Sequence, residues 1–151
     1  MTEKTIIIAG PTASGKSQLV IELTKYLGKD LDVTIINADS MQVYSELNVI
    51  TARPSDAQLA HCKHRLYGFL SVKESFSVGL WRDKALDEIN KARLNKSIPI
   101  LVGGTGLYFK ALLEGLAPIP KVSDDIRKVG RDRALEEGGI LSLLDEIETS
   151  D

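Results

Sequence analysis

The chain alternates short apolar runs with longer stretches of helical spacing. Thr5-Ile6-Ile7-Ile8-Ala9 is β-branched and apolar on both faces, which predicts a central strand of a parallel sheet, covered on each side. Lys16 to Leu27 carries Leu19, Val20, Leu23 and Leu27 at helical spacing, with Gly28 as the stop. Val33 to Ile36 predicts a second buried strand, ending at Asn37-Ala38-Asp39-Ser40, and Arg65 to Val72 a short strand. Ser77 to Asn95 opens on a capping hydroxyl and places Trp81, Ala85, Ile89 and Ala92 on one stripe. Ile98 to Val102 predicts a third buried strand despite Pro99, and Gly103-Gly104-Thr105-Gly106 follows it directly. Leu107 to Leu113 reads as a helix stopped by Gly115. Ala117 to Pro120 reads as a linker. Asp124 to Glu137 and Ile140 to Glu148 are polar helical stretches parted by Gly138-Gly139. Strands alternating with helices predict right-handed crossovers and a three-layer α/β sheet. Three strong strands are few for such a sheet, so the expectation is a truncated one.

The chemistry begins between the first strand and the first helix. Gly10-Pro11-Thr12-Ala13-Ser14-Gly15-Lys16-Ser17 fits G-x-x-x-x-G-K-[ST], a phosphate-binding P-loop. Its glycines permit close backbone approach, so successive N–H groups converge on phosphate oxygens. The helix N-terminus adds about half a positive charge and Lys16 a full one. Ser17 is placed to bind Mg²⁺, which prefers oxygen ligands and keeps several waters. In an open parallel sheet ligands lie outside the carboxyl ends of the strands, where Asp39 and Thr105 both fall. On spacing alone Asp39 is also readable as a helix cap or as a group reaching magnesium through water, Thr105 as a helix N-cap, and Gly103-Gly104 as a tight turn.

Composition narrows the setting without choosing a reaction. At 151 residues the chain has room for a sizeable core, and 43% hydrophobic with 26% charged residues is ordinary for a globular protein. No apolar run approaches the length of a membrane span, and no signal peptide is recognisable. Cys62 is the only cysteine, which excludes an intrachain disulfide; the expected location is the cytoplasm. A net charge of −2 makes any nucleic-acid binding depend on a local basic patch. His61 and His64 read as structural, since no Cys-rich or acidic set completes a metal site.

The motifs, in order, resemble those of the tRNA dimethylallyltransferases, also called tRNA isopentenyltransferases. The resemblance is carried by Gly10-Pro-Thr-Ala-Ser-Gly-Lys-Ser17, Asn37-Ala-Asp-Ser-Met-Gln-Val-Tyr44 and Gly103-Gly-Thr-Gly-Leu-Tyr108. Thr51-Ala-Arg-Pro54, His64-Arg-Leu66 and Phe109 to Leu116 add to it, so that it runs from about Ile6 to Arg127. It implies a P-loop NTPase-like core over residues 1–117 and, over 118–151, the start of an inserted helical domain that grips tRNA. The implied reaction moves a dimethylallyl group from dimethylallyl diphosphate to N6 of the adenosine 3′ of the tRNA anticodon, in a monomer. The loop Gly10 to Ser17, Lys16 above all, then holds the donor's diphosphate with Mg²⁺. By the same resemblance Asp39 accepts the amine's proton, and Thr105 lies near the reacting bond. Asp39-Ser40-Met41-Gln42, with Thr105, contacts an adenosine turned out of the stack. Arg127 matches a residue that contacts tRNA, with Lys121, Lys128, Arg131 and Arg133 around it; the competing reading is a solvated helix face balanced by Asp124, Asp125 and Asp132. Family members are longer and supply a further arginine motif beyond this sequence. Competing functions are a small-metabolite kinase using ATP on the same loop, an adenylate isopentenyltransferase, and phosphate binding without catalysis.

Overall fold

The computed structural model describes residues 4–27, 31–51, 53–54, 62–118 and 122–149. The readings made of Gly28, Ala52, His61, Ile119, Pro120 and Lys121 therefore lie outside the described residues. The chain divides into two compact units, Met1–Leu116 and Ala117–Asp151.

The first unit is an α/β sandwich of P-loop NTPase-like type. Its elements are β1 (Ile6–Ala9), α1 (Lys16–Leu27), β2 (Val33–Asn37), β3 (Lys63–Arg65), α2 (Val78–Leu94), β4 (Ile98–Gly103) and α3 (Gly106–Leu113). Four parallel strands lie in the order β1-β4-β2-β3. Side chains alternate across β2 and β4, so each strand feeds two cores. Val33, Ile35, Ile100 and Val102 pack with Val20 of α1 on one face. Ile36, Ala38 and Leu101 pack with Trp81, Ala85 and Ile89 of α2 and Tyr108 of α3 on the other. The stripe read at helical spacing in α2 is thus its buried face. Ser77 caps that helix by accepting from the Leu80 N–H at 3.2 Å.

Two expectations about the sheet need correction. Among the described residues β1 is an edge strand and not a central one. Ile6 and Ile8 join the α1 core, whereas Ile7 and Ala9 are exposed, because α2 and α3 cover β2 and β4. The strand expected over Arg65 to Val72 is instead Lys63–Arg65, followed by an isolated bridge from Leu70 to Tyr44. Pairing with β2 makes it a strand, and its charged residues suit a sheet edge. Pro99 is tolerated for a reason of phase. The Ile98 N–H turns to Asp32 O at 2.7 Å on the β2 side, so residue 99 faces β1, whose pairing begins only at Ile100.

Beyond β2 the chain is tied down by Glu46. Its carboxylate accepts from the Ser71 and Ser45 hydroxyls at 2.7 and 2.8 Å and from the Val72 N–H at 3.2 Å. These bonds, Ser71 foremost, hold its pKa down at about 2. A depressed carboxylate stabilises the fold above its unfolded value of 4.5, and that contribution fades as pH falls from there toward 2. A carbon-detected NMR titration is expected to give a Glu46 midpoint near 2; a midpoint near 4.5 would show the tether absent in solution.

The second unit is a helical hairpin, α4 (Asp124–Leu135) and α5 (Gly139–Glu148). Ser123 caps α4, and Asp124 and Asp125 complement the positive end of its dipole. The turn requires glycine twice: Gly138 has φ +73°, and a Cβ on Gly139 would lie 1.8 Å from the Arg133 carbonyl oxygen. Arg133, read as part of a basic patch, pairs with Glu146 of α5 and closes the hairpin.

Candidate active site

The phosphate loop is shaped by residues in the left-handed region. Gly15 has φ +80° at no steric cost, while Ala13 takes φ +61°, which costs a residue with a Cβ about 1–2 kcal/mol. The Leu19 N–H to Gly15 O bond, 2.9 Å, starts α1 directly from the loop. Lys16 Nζ reaches back to the Pro11 carbonyl and, at 3.4 Å, to Ser14 Oγ, so the ammonium spans the loop's mouth. Its first residue is anchored by the Gly10 N–H to Gly103 O bond of 3.2 Å, which joins the loop to the end of β4.

A cleft of about 310 Å³ opens over this loop. Thr12 to Ser17 of the loop line it together with Asp39, Gln42, Thr51 and Tyr67. Asp39 Oδ1 accepts from the Met41 N–H at 2.9 Å, which orients the carboxylate. Tyr67 is a wall residue that sequence reasoning missed, having no motif to mark it. Burial first, and then the negative charge of Asp39, hold its pKa well above the usual phenol value, so it faces the cleft as a neutral hydroxyl. The same two causes, with Tyr44 between them in size, raise Tyr108 to about 12.

The other expected residues are placed around Asp39 in different ways. Gln42 lines the cleft while its amide donates to Thr51 O at 2.9 Å. Thr105 occupies the N-cap position of α3, yet its side chain makes no cap bond. Its Oγ1 accepts from the Ser40 N–H at 2.9 Å and donates to Ser40 Oγ at 3.3 Å, latching the turn after Asp39 to α3. Met41 is half exposed, and Gly10 and Pro11 lead into the loop without lining the cleft. Arg127 is exposed on α4, in the second unit. Asn37, quoted in a motif but given no role, is fully buried, and its amide bonds Asp39 at both main-chain groups. The Asn-x-Asp spacing of a side-chain-to-backbone turn was the available signal.

Gly103 and Gly104 do more than turn the chain. A Cβ on Gly103 would lie 2.1 Å from the carbonyl oxygen of Ala38, and one on Gly104 would lie 2.9 Å from Gly10 O. The ends of β4 and β2 and the start of the loop therefore meet backbone to backbone. Gly103→Ala is expected to destabilise the first unit by about 3 kcal/mol or more, since neither neighbour is a flexible side chain. Urea unfolding checks this; a loss below about 1 kcal/mol would mean that the contact relaxes freely.

The donor set suits magnesium. Ser17 brings a hydroxyl to the cleft beside the loop amides, and Mg²⁺ accepts few protein oxygens, completing its shell with phosphate and water. Among the described residues no group of three or more His, Cys, Asp or Glu could hold a softer or fully caged ion. The electrostatics are divided: cationic at the loop, anionic at Asp39.

Comparison with known proteins agrees with this architecture. Residues 42–151 match the family model described as IPP transferase. The tRNA dimethylallyltransferase of Methylocella silvestris is 51% identical over 88% of this chain and 42% of its own length. That of a Bradyrhizobium strain is 45% identical over 98% of this chain and 47% of its own. The full-length tRNA isopentenylpyrophosphate transferase of Bacillus halodurans superposes with a TM-score of 0.71 at 31% identity, covering 99% of this chain and 48% of that one. A eukaryotic dimethylallyltransferase acting on tRNA gives a TM-score of 0.77 at 26% identity, covering 96% and 36%. The chain thus spans a little under half the length of the curated relatives it matches. With the family model matching most of its length, from residue 42 to 151, the chain belongs to the IPP transferase family.

Proposed function

We propose that the protein, at the length of its relatives, transfers a dimethylallyl group from dimethylallyl diphosphate to N6 of the adenosine 3′ of the tRNA anticodon. The observation carrying this reading is one cleft lined both by a phosphate loop and by the carboxylate of Asp39, oriented by the Met41 N–H. Loop amides and Lys16 hold the donor's diphosphate and stabilise the charge it gains on leaving. N6 attacks C1 of the allyl group as the C1–O bond breaks, its electron pair passes to the diphosphate, and the Asp39 carboxylate takes the proton released from N6. Ser17 would hold Mg²⁺ at the mouth of the loop, where the ion would supply further neutralisation of the diphosphate. Ser40, Met41 and Gln42 follow Asp39 directly and are assigned to the extruded adenosine, with Thr105 latching their turn.

The same proposal makes residues 118–151 the start of a tRNA-gripping insertion and places the protein in the cytoplasm as a monomer. No helix among the described residues is long and apolar enough to cross a membrane. Arg127 carries a testable share of the tRNA contact. Arg127→Ala is expected to weaken tRNA binding and to lower the slope of log affinity against log salt by about 0.7–0.9, the value of one released counterion. An unchanged slope would return Arg127 to the solvated face of α4.

Radiolabelled dimethylallyl diphosphate with unmodified tRNA tests the whole reading in a protein of the relatives' length. Label in the tRNA supports it. Release of ADP from ATP without prenyl transfer would replace it with a kinase on the same loop.

A further inference from the structure

We infer that Asn37 is a positioning residue for the transfer, gripping Asp39 so that its carboxylate keeps one place in the cleft. This rests on the role proposed above for Asp39. Asn37 is the last residue of β2, fully buried, and its amide is engaged on both sides. Oδ1 accepts from the Asp39 N–H at 3.0 Å, and Nδ2 donates to the Asp39 carbonyl oxygen at 2.9 Å. The second hydrogen of Nδ2 goes to Leu66 O at 3.0 Å, on the segment leaving β3.

A side chain that bonds both main-chain groups of a residue two positions on restrains that residue's φ and ψ together. The carboxylate then retains only its side-chain torsions, and the Met41 N–H on Oδ1 restricts those as well. Leu66 O gives the clamp a footing outside its own strand, one residue before Tyr67, which also lines the cleft. The main-chain oxygen of Asn37 is held separately by Trp81 Nε1–H at 3.0 Å. That bond fixes the strand without touching Asp39. Serine at position 37 would keep an acceptor for the Asp39 N–H but lose the reach to Leu66, whereas leucine would fill the space and lose all three side-chain bonds.

Four variants of a protein spanning its relatives' length separate positioning from simple support of the fold. Asn37→Leu is expected to lower kcat for tRNA prenylation by about ten- to a hundredfold, with KM for dimethylallyl diphosphate within about twofold. Asn37→Ser should recover part of that rate, and it decides the matter if the leucine variant does not fold. Trp81→Phe should lower the melting temperature and leave kcat of the folded enzyme unchanged. If kcat losses across these variants simply follow the unfolded fraction, or if KM rises with kcat intact, Asn37 is structural only. Asp39→Asn run beside them tells the two levels apart. Full transfer by Asp39→Asn removes the base and this inference with it. Loss of transfer there, with normal kcat in the folded Asn37 variants, overturns this inference alone.

Discussion

Asp39→Ala, in a protein of its relatives' length, is expected to lower prenyl transfer to tRNA by about 10²–10⁴-fold, the usual worth of a placed general base. Donor binding should stay within about twofold. The carboxylate lines the same cleft without belonging to the phosphate loop, so its removal takes away a repulsion from the diphosphate. Any change in donor affinity should therefore be a small gain. Single-turnover transfer together with titration calorimetry of dimethylallyl diphosphate checks both halves. Full transfer in the variant would remove Asp39 from the chemistry, and a large loss of donor affinity would make it a ligand of the diphosphate–metal complex instead.

Lys16→Ala is expected to have the opposite signature. The ammonium is the only side-chain cation lining the cleft among the described residues, and it already spans the loop through Pro11 O and Ser14 Oγ. Removing a charge-assisted partner of a diphosphate costs about 3 kcal/mol, roughly a hundredfold in affinity. The fold should be little affected, since the loop's conformation rests on Gly15, Ala13 and the Gly10–Gly103 bond rather than on the lysine. Calorimetry with dimethylallyl diphosphate and magnesium reads the loss directly, and near-wild-type affinity would mean that the loop amides suffice. Lys16→Arg is not a conservative rescue, because a planar fork does not replace a compact ammonium in a tight loop.

What was legible in the sequence follows the range of the interactions concerned. Helix α1 runs from Lys16 to Leu27 as its spacing indicates, and Trp81, Ala85, Ile89 and Ala92 are all buried, because a helix and its apolar face are local properties. The lateral position of β1 was not legible. An apolar run reports the faces of a strand, whereas its neighbours in the sheet depend on residues far away. β3 was misplaced for a related reason: Lys63, His64 and Arg65 carry no apolar alternation, and only pairing with Thr34 to Ile36 makes them a strand. The loop and the place of Asp39 in the cleft were readable from motif and strand-end position, whereas Thr105, expected in the same crevice, does not line it and bonds Ser40 instead. The Arg133–Glu146 pair, the bond from Thr105 to Ser40 and the reach of Asn37 to Leu66 are tertiary contacts, for which a single sequence offers no spacing rule.

The bare-backbone junction at Gly103 and Gly104 limits how this cleft can be altered. With no side chain between the three strand ends, there is nothing to trim and no room to add, so the span from the anion loop to the acidic turn behaves as a fixed gauge. On the reading proposed above, adapting the pocket to a longer or bulkier allylic donor falls to the side chains of Thr51 and Tyr67, which can be shortened without disturbing that junction.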